Sequence, residues 1–233
     1  MTRALVTAGG TREPIDGVRF ITNFSSGTTG AALADAFAAA GWDVTLVRTR
    51  DAVRPVSDAI EQESYASVAD LDDACRRLLG ASSYDVVVHA AAVSDFVVGA
   101  IVVDDVRHAA PLAGKLDSAR SLSVELVPSP KILPRLRGYS GNDAIVVVGF
   151  KLTNGATADE AATAVRRQFE TAGVDAVVHN DLTEMDHAHD RHLATLWVAG
   201  APAGRATTNG ELAALLVDLV GEPARLRRGD RRR

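Results

Sequence analysis

The run Asp85-Val86-Val87-Val88-His89-Ala90 constrains this chain most. An apolar stretch this short and unbroken is a strand covered on both faces, which requires layers above and below a sheet. Similar short runs recur at 5–8, 44–47, 144–150 and 175–179. Helical patterns alternate with them at 29–40, 68–79, 158–172 and 211–220, and the first three end at Gly41, Gly80 and Gly173. Further strands are predicted at 122–127 and 194–198, and Pro130 is expected to open a short helix to residue 136. Alternation almost throughout predicts an α/β, Rossmann-like doubly wound fold: a mostly parallel sheet with helices on both faces. The stretch 11–26 reads as a polar loop and 94–120 as irregular, a candidate lid. Residues 1–220 are expected to form one domain, and 221–233, with six Arg, a solvated and disordered tail.

Composition narrows the function classes. The chain has 233 residues, 25 basic and 30 acidic, and a formal net charge of −5, which argues against a nucleic-acid binder. Cys75 is the only cysteine, so there is no disulfide framework and no Cys-based zinc site, and a reducing compartment such as the cytoplasm is expected. No apolar run reaches the roughly 18 residues of a membrane span, and the N-terminus is not a signal peptide. Only three of the 25 basic residues are lysines: Lys115, Lys131 and Lys151. Each lysine is expected either to stand where a compact ammonium serves better than a guanidinium or to survive by chance.

Ligands of doubly wound folds bind beyond the carboxyl ends of the strands. After the first strand, Gly9-Gly10 lets backbone approach a ligand closely. No GxGxxG follows. Instead Asn23 leads into Ser25-Ser26-Gly27-Thr28-Thr29 at a helix start, where Ser or Thr can cap and the helix end can hold an anion. After the third strand, Ala91-Ala92 admits a flat ring or phosphate, and Asp95 offers a carboxylate for a ribose or a metal-bound water, or forms a turn. Lys131 follows Pro130, Lys151 follows Phe150, and Asn180 ends another strand. Arg166 and Arg167 lie mid-helix, as on a solvated face. His187, His189 and His192 with Asp186 and Asp190 contain metal-binding types without a helical ligand spacing.

The segments 7–27, 89–96, 114–118, 127–136, 147–152 and 175–183 together resemble the phosphopantothenate–cysteine ligase (phosphopantothenoylcysteine synthetase) family of coenzyme A biosynthesis, in that family's order. With Met1 shortly before the first strand, the chain looks like the stand-alone form rather than one fused behind a decarboxylase. The resemblance implies that CTP, or ATP, activates the carboxylate of 4′-phosphopantothenate with Mg²⁺. The amine of cysteine then displaces the nucleoside monophosphate. It also implies that Asn23 holds the acyl-nucleotide and Lys115 assists the chemistry. Gly9, Gly10, Ser25, Ser26, Gly27, Ala91, Ala92, Asp95, Pro130, Lys131, Ile132, Phe150 and Lys151 would bind nucleotide, Asn180 would face the phosphopantothenate, and the protein would be a homodimer. The chain departs from the family's common pattern at Thr28, Thr29 and Lys131, which leaves CTP and ATP both open. A relative joining a different acid and amine stays a second reading. An NAD(P) oxidoreductase is a third: none of Tyr65, Tyr84 and Tyr139 is followed four residues later by Lys, as a short-chain dehydrogenase requires. A catalytically silent nucleotide-binding or interaction protein is a fourth.

Overall fold

A computed structural model describes residues 2–117, 121–186 and 191–221. The elements in chain order are β1 (Arg3–Ala8), β2 (Arg12–Pro14), β3 (Phe20–Thr22), α1 (Thr28–Ala39), β4 (Asp43–Thr49), β5 (Glu61–Tyr65), α2 (Val68–Ala81), β6 (Val86–His89), β7 (Phe96–Val103), β8 (Val106–Ala109), β9 (Leu122–Pro128), a 3₁₀ turn (Leu133–Arg135), α3 (Leu136–Tyr139), β10 (Val146–Thr153), α4 (Ala158–Ala172), β11 (Ala176–Asp186), β12 (Arg191–Val198), β13 (Ala201–Ala206) and α5 (Asn209–Gly221).

Eight strands form the main sheet in the order β13-β12-β11-β10-β6-β1-β4-β5. The pairs β5–β4, β4–β1, β1–β6, β6–β10 and β10–β11 are parallel, while β12 and β13 add antiparallel strands at one edge. The direction of winding reverses between β1 and β6, so the crevice beyond their carboxyl ends is where this topology places a ligand. Side chains alternate along each strand. Val86 and Val88 therefore pack with Leu33, Phe37, Leu212 and Leu216 of α1 and α5. Val87 and Val147 pack on the other face with Leu71, Cys75, Leu136 and Val165 of α2, α3 and α4. The predicted fold class, with helices on both faces, is what the structure shows.

Local expectations differ in four places. The "irregular" 94–120 stretch contains the hairpin β7–β8, and β7 also pairs antiparallel with β9 in a separate three-stranded sheet. Asp104 and Asp105 turn this hairpin with φ of 46° and 66°, the left-handed pair a two-residue hairpin turn requires. The polar loop 11–26 holds the small hairpin β2–β3. No helix opens at Pro130: the 3₁₀ turn begins at Leu133, with Pro134 in its first turn, where a missing N–H costs nothing. Finally, β5 and β13 carry too little apolar pattern to read as strands; they are edge strands of the main sheet. No helix of the described residues is long and apolar enough to cross a membrane. The expected tail, apart from Gly221, lies outside the described residues, as does Ser118.

Candidate functional site

Past the ends of β1 and β6, the two following loops stay paired across the crevice. Gly10 bridges Ala92, Thr11 N–H donates to Ala92 O at 3.2 Å, and Ala92 N–H donates to Gly9 O at 2.9 Å. The missing side chains of Gly9 and Gly10 are used inside the protein. A Cβ on Gly9 would meet Thr49 Oγ1 at 2.1 Å, and one on Gly10 would meet Asn23 O at 2.2 Å. The expected close approach is therefore made by neighbouring chain segments. Thr49 and Ala52 fill the space beside Gly9. Arg48, itself buried, holds that turn by donating to the carbonyls of Thr49, Arg50 and Ala52 at 2.9–3.1 Å.

The start of α1 also departs from the expected cap. Its N-cap is Gly27, with φ 77°, which has no side chain to cap with, and Ser26 Oγ just before it accepts Thr28 N–H at 3.4 Å. Ser26 Oγ also lies 2.8 Å from Thr28 Oγ1, and its carbonyl accepts Val53 N–H at 2.9 Å.

On the α2–α3–α4 side of the sheet, a cleft of about 520 Å³ opens at the carboxyl ends of β6 and β10. Of the residues expected to bind nucleotide, Ala91, Asp95, Lys131, Ile132, Phe150 and Lys151 line it together. Arg167 joins them, although its helix position alone reads as a solvated face; Arg166 does not. The cleft also contains His89, Val93, Leu133 and Gln168, which sequence reasoning did not single out as site residues. Three cations against Asp95 make its rim positive on a protein whose net charge is −5. Asp95 and Lys131 form an exposed ion pair. Such pairs contribute little, so an arriving anion can take over the ammonium readily. A larger cleft of about 750 Å³ lies at the ends of β4 and β5, but its Arg12, Arg76 and Arg77 are paired with Asp51, Asp73 and Glu63, which cancels much of its field.

Asn23 and Lys115 do not line the 520 Å³ cleft. Asn23 is exposed and donates from Nδ2 to Val93 O at 3.1 Å, beside it. Lys115 sits on the 110–117 loop, which is tied to the β2–β3 hairpin. Gly17 N–H donates to Gly114 O at 2.9 Å, and Leu112 N–H to Ile15 O at 3.0 Å. The central tie is Asp16. It accepts N–H groups from Val18, Arg19 and Leu116 at 2.7–3.1 Å and the Arg19 guanidinium at 2.7 Å. Burial would raise its pKa, but these donors outweigh burial and hold the carboxyl well below the usual range. Gly9, Gly10, Ser25, Ser26, Gly27, Ala92 and Pro130 stand outside that cleft as well. Asn180 lies within β11, not at its end. It is buried, with Nδ2 3.1 Å from Met185 Sδ. Its neighbour Asp181 is held far below the ordinary carboxylate range by hydrogen bonds from the hydroxyls of Thr153 and Thr183 and from backbone N–H groups at Gly155 and Thr183.

His187, His189 and Asp190 of the possible metal cluster lie outside the described residues. Among the described residues, no group of three His, Cys, Asp or Glu side chains could hold a metal ion.

Residues 1–221 match the family described as DNA/pantothenate metabolism flavoprotein C-terminal domain. The chain belongs to this family. Relatives include the coenzyme A biosynthesis bifunctional protein CoaBC of Thermococcus kodakarensis, 42% identical over 181 residues, covering 77% of this chain and 41% of that protein. The CoaBC of Mycolicibacterium smegmatis is 34% identical over 190 residues, covering 79% and 44%. The chain thus spans less than half of either bifunctional relative. Among solved structures, the DNA/pantothenate metabolism flavoprotein from Streptococcus pneumoniae superposes with a TM-score of 0.83 at 26% identity, covering 95% of this chain and 99% of that one. A Cab2 variant in complex with phosphopantothenate-cysteine shares the fold, with a TM-score of 0.74 at 18% identity, covering 98% and 87%.

Proposed function

We propose that this chain is a phosphopantothenate–cysteine ligase of coenzyme A biosynthesis. The observation that carries the reading is the positive-rimmed cleft at the switch side of the sheet, on a chain whose family relatives are coenzyme A biosynthesis proteins. A carboxylate is a poor electrophile, so joining it to an amine needs a good leaving group. In the first step a carboxylate oxygen of 4′-phosphopantothenate bonds to the α-phosphorus of CTP or ATP. The bond to the bridging oxygen breaks and pyrophosphate leaves. In the second step the cysteine nitrogen bonds to the acyl carbon, the acyl–phosphate bond breaks, the amine loses its proton, and nucleoside monophosphate leaves.

Lys131, Lys151 and Arg167 offset the nucleotide's charge and draw it to a protein whose overall charge would repel it. Ala91, Ile132 and Leu133 provide an apolar surface for the base, and Phe150 reaches the cleft through its backbone. Asn23, held to Val93 O beside the cleft, binds the acyl-nucleotide, and Lys115 stabilises charge at the α-phosphate when its loop reaches the nucleotide. Gly9, Gly10, Ser25, Ser26, Gly27, Ala92 and Pro130 would contact the nucleotide beyond the lining of that cleft, and Asn180 would face the phosphopantothenate. Mg²⁺ would enter with the nucleotide and offset the charge of its phosphates. Exposed Phe96, Val106, Leu122, Leu126 and Val127 on the small sheet favour a homodimer, and the reduced Cys75 suits the cytoplasm.

The test is pyrophosphate release with CTP or ATP crossed against 4′-phosphopantothenate and a panel of amino acids. Release is expected only with the acid present, and amide formation with cysteine. Asn23→Asp is expected to accumulate acyl-nucleotide, and Lys115→Gln to lose turnover by 100-fold or more (about the weight of one transition-state donor). Full activity in both variants would remove these two assignments.

A further inference from the structure

One buried network inside the cleft fixes the protonation of a side chain that the ligase reading leaves idle. Ala91 N–H donates to Thr7 Oγ1 at 3.1 Å, and Thr7 Oγ1 lies 2.9 Å from His89 Nδ1. The Thr7 hydroxyl has one proton and is fully buried. Leaving that proton unbonded costs more than sharing it, so it goes to Nδ1. The imidazole proton therefore sits on Nε2, and His89, only 6% exposed, lines the cleft as a fixed donor.

Beside it stands a fixed acceptor. Gln168 Nε2 donates to Phe150 O at 3.3 Å. A carbonyl can only accept, so the amide cannot be reversed, and Oε1 is the free end. That oxygen is buried and has no hydrogen-bond partner. Gly149 pairs in register with His89, and a Cβ on Gly149 would come within 2.5 Å of Gln168 Nε2. The two groups thus sit over neighbouring strands, about 5 Å apart in sheet spacing, beside the apolar side chains of Ile132 and Leu133.

We propose that His89 and Gln168 read the base of the nucleotide: Nε2–H donates to a ring nitrogen and Oε1 accepts from the adjacent exocyclic amine. Cytosine and adenine present that edge. On the same Watson–Crick edge uracil (N3–H, O4) and guanine (N1–H, O6) present the reverse, a ring N–H beside a carbonyl, and meet donor against donor and acceptor against acceptor. Burial lowers the His89 pKa to about 4, so the ring stays neutral and keeps a single donor across physiological pH. This inference rests on the reading of the cleft as a nucleotide site.

The test is calorimetric titration of the full chain with CTP, ATP, UTP and GTP in Mg²⁺, with pyrophosphate release measured in parallel. CTP or ATP is expected to bind at least about tenfold more tightly than UTP and GTP, the weight of one or two hydrogen bonds. His89→Ala and Gln168→Met are each expected to narrow that ratio to about threefold or less. Gln168 is half-exposed on α4, so Gln168→Met tests the proposal even where His89→Ala does not fold. Equal affinities in the unaltered chain, no binding of any nucleotide, or an unchanged ratio in the folded variants would overturn it. Selective binding without pyrophosphate release supports the base reading and removes the ligase reading. Release that is indifferent to the base does the opposite.

Discussion

Burial makes His89 a pH-sensitive element of stability as well as a cleft donor. Its pKa falls from 6.5 to about 4 through desolvation. Between those values the unfolded chain binds a proton that the native chain refuses. The His89 contribution is therefore complete above pH 6.5 and is lost as pH falls toward 4, by about 3 kcal/mol in total. Urea midpoints at pH 7.0 and 4.5 are expected to show the loss, and His89→Asn is expected to reduce it. Cys75 behaves in the opposite chemical sense. Burial raises its thiol to about 12, so a disulfide reagent at pH 8 is expected to label it only after unfolding; rapid labelling of the native protein would contradict its place in the α2 core. Both side chains show what a residue-by-residue reading reaches. The lone cysteine without a disulfide partner is legible in the composition. The tautomer of His89 is not, because Thr7, which sets it, is 82 positions away.

At the scale of elements, loops are positioned by contacts between segments distant in the chain. Gly27 begins α1 with φ 77°, and a Cβ there would lie 2.7 Å from Ala52 Cβ. Gly41 has φ 83° with nothing within 4 Å. Gly41→Ala is expected to cost only the left-handed backbone strain, about 1 kcal/mol, and Gly27→Ala at least about 1 kcal/mol more because a neighbour must also move. Thermal denaturation of the two variants checks the order. Under the proposed function Asp16 matters more, since its carboxylate fastens the Lys115 loop to the β2–β3 hairpin. Asp16→Ala is expected to speed hydrogen exchange at the Leu116 amide and to lower kcat about tenfold while nucleotide affinity changes less. Equal losses in kcat and nucleotide affinity would assign Asp16 to general folding instead. The long helices α2 and α4 are legible from helical spacing and a closing glycine, and the structure adds a capping box to each, Ser67 with Asp70 and Thr157 with Glu160. The hairpin β7–β8 was not, since its Asp104-Asp105 turn lacks the glycine that usually announces such turns.

In the whole molecule, the strand order makes one place special. Reversal between β1 and β6 opens the ligand edge there, and the cleft that forms beside it gathers His89 from β6, Phe150 and Lys151 from β10, Lys131 from the connection before α3, and Arg167 and Gln168 from α4. Because Thr49 and Ala52 fill the space at Gly9, NADPH is expected to show no saturable binding by fluorescence titration; saturation would revive the oxidoreductase reading. Two of the scarce lysines, Lys131 and Lys151, meet in the cleft, while Lys115 stands on a separate loop. Lysine-to-arginine exchange is therefore a whole-molecule test. Lys115→Arg is expected to impair turnover severely while nucleotide still binds at the cleft. The sequence by itself determined the layered α/β class and the family, because short apolar runs must be buried on both faces and because whole segments match in order. The tertiary structure alone decided which loop ends meet, which glycines serve packing, and which nitrogen of His89 carries the proton. Those properties depend on distances between residues far apart in the chain, which local pattern does not encode.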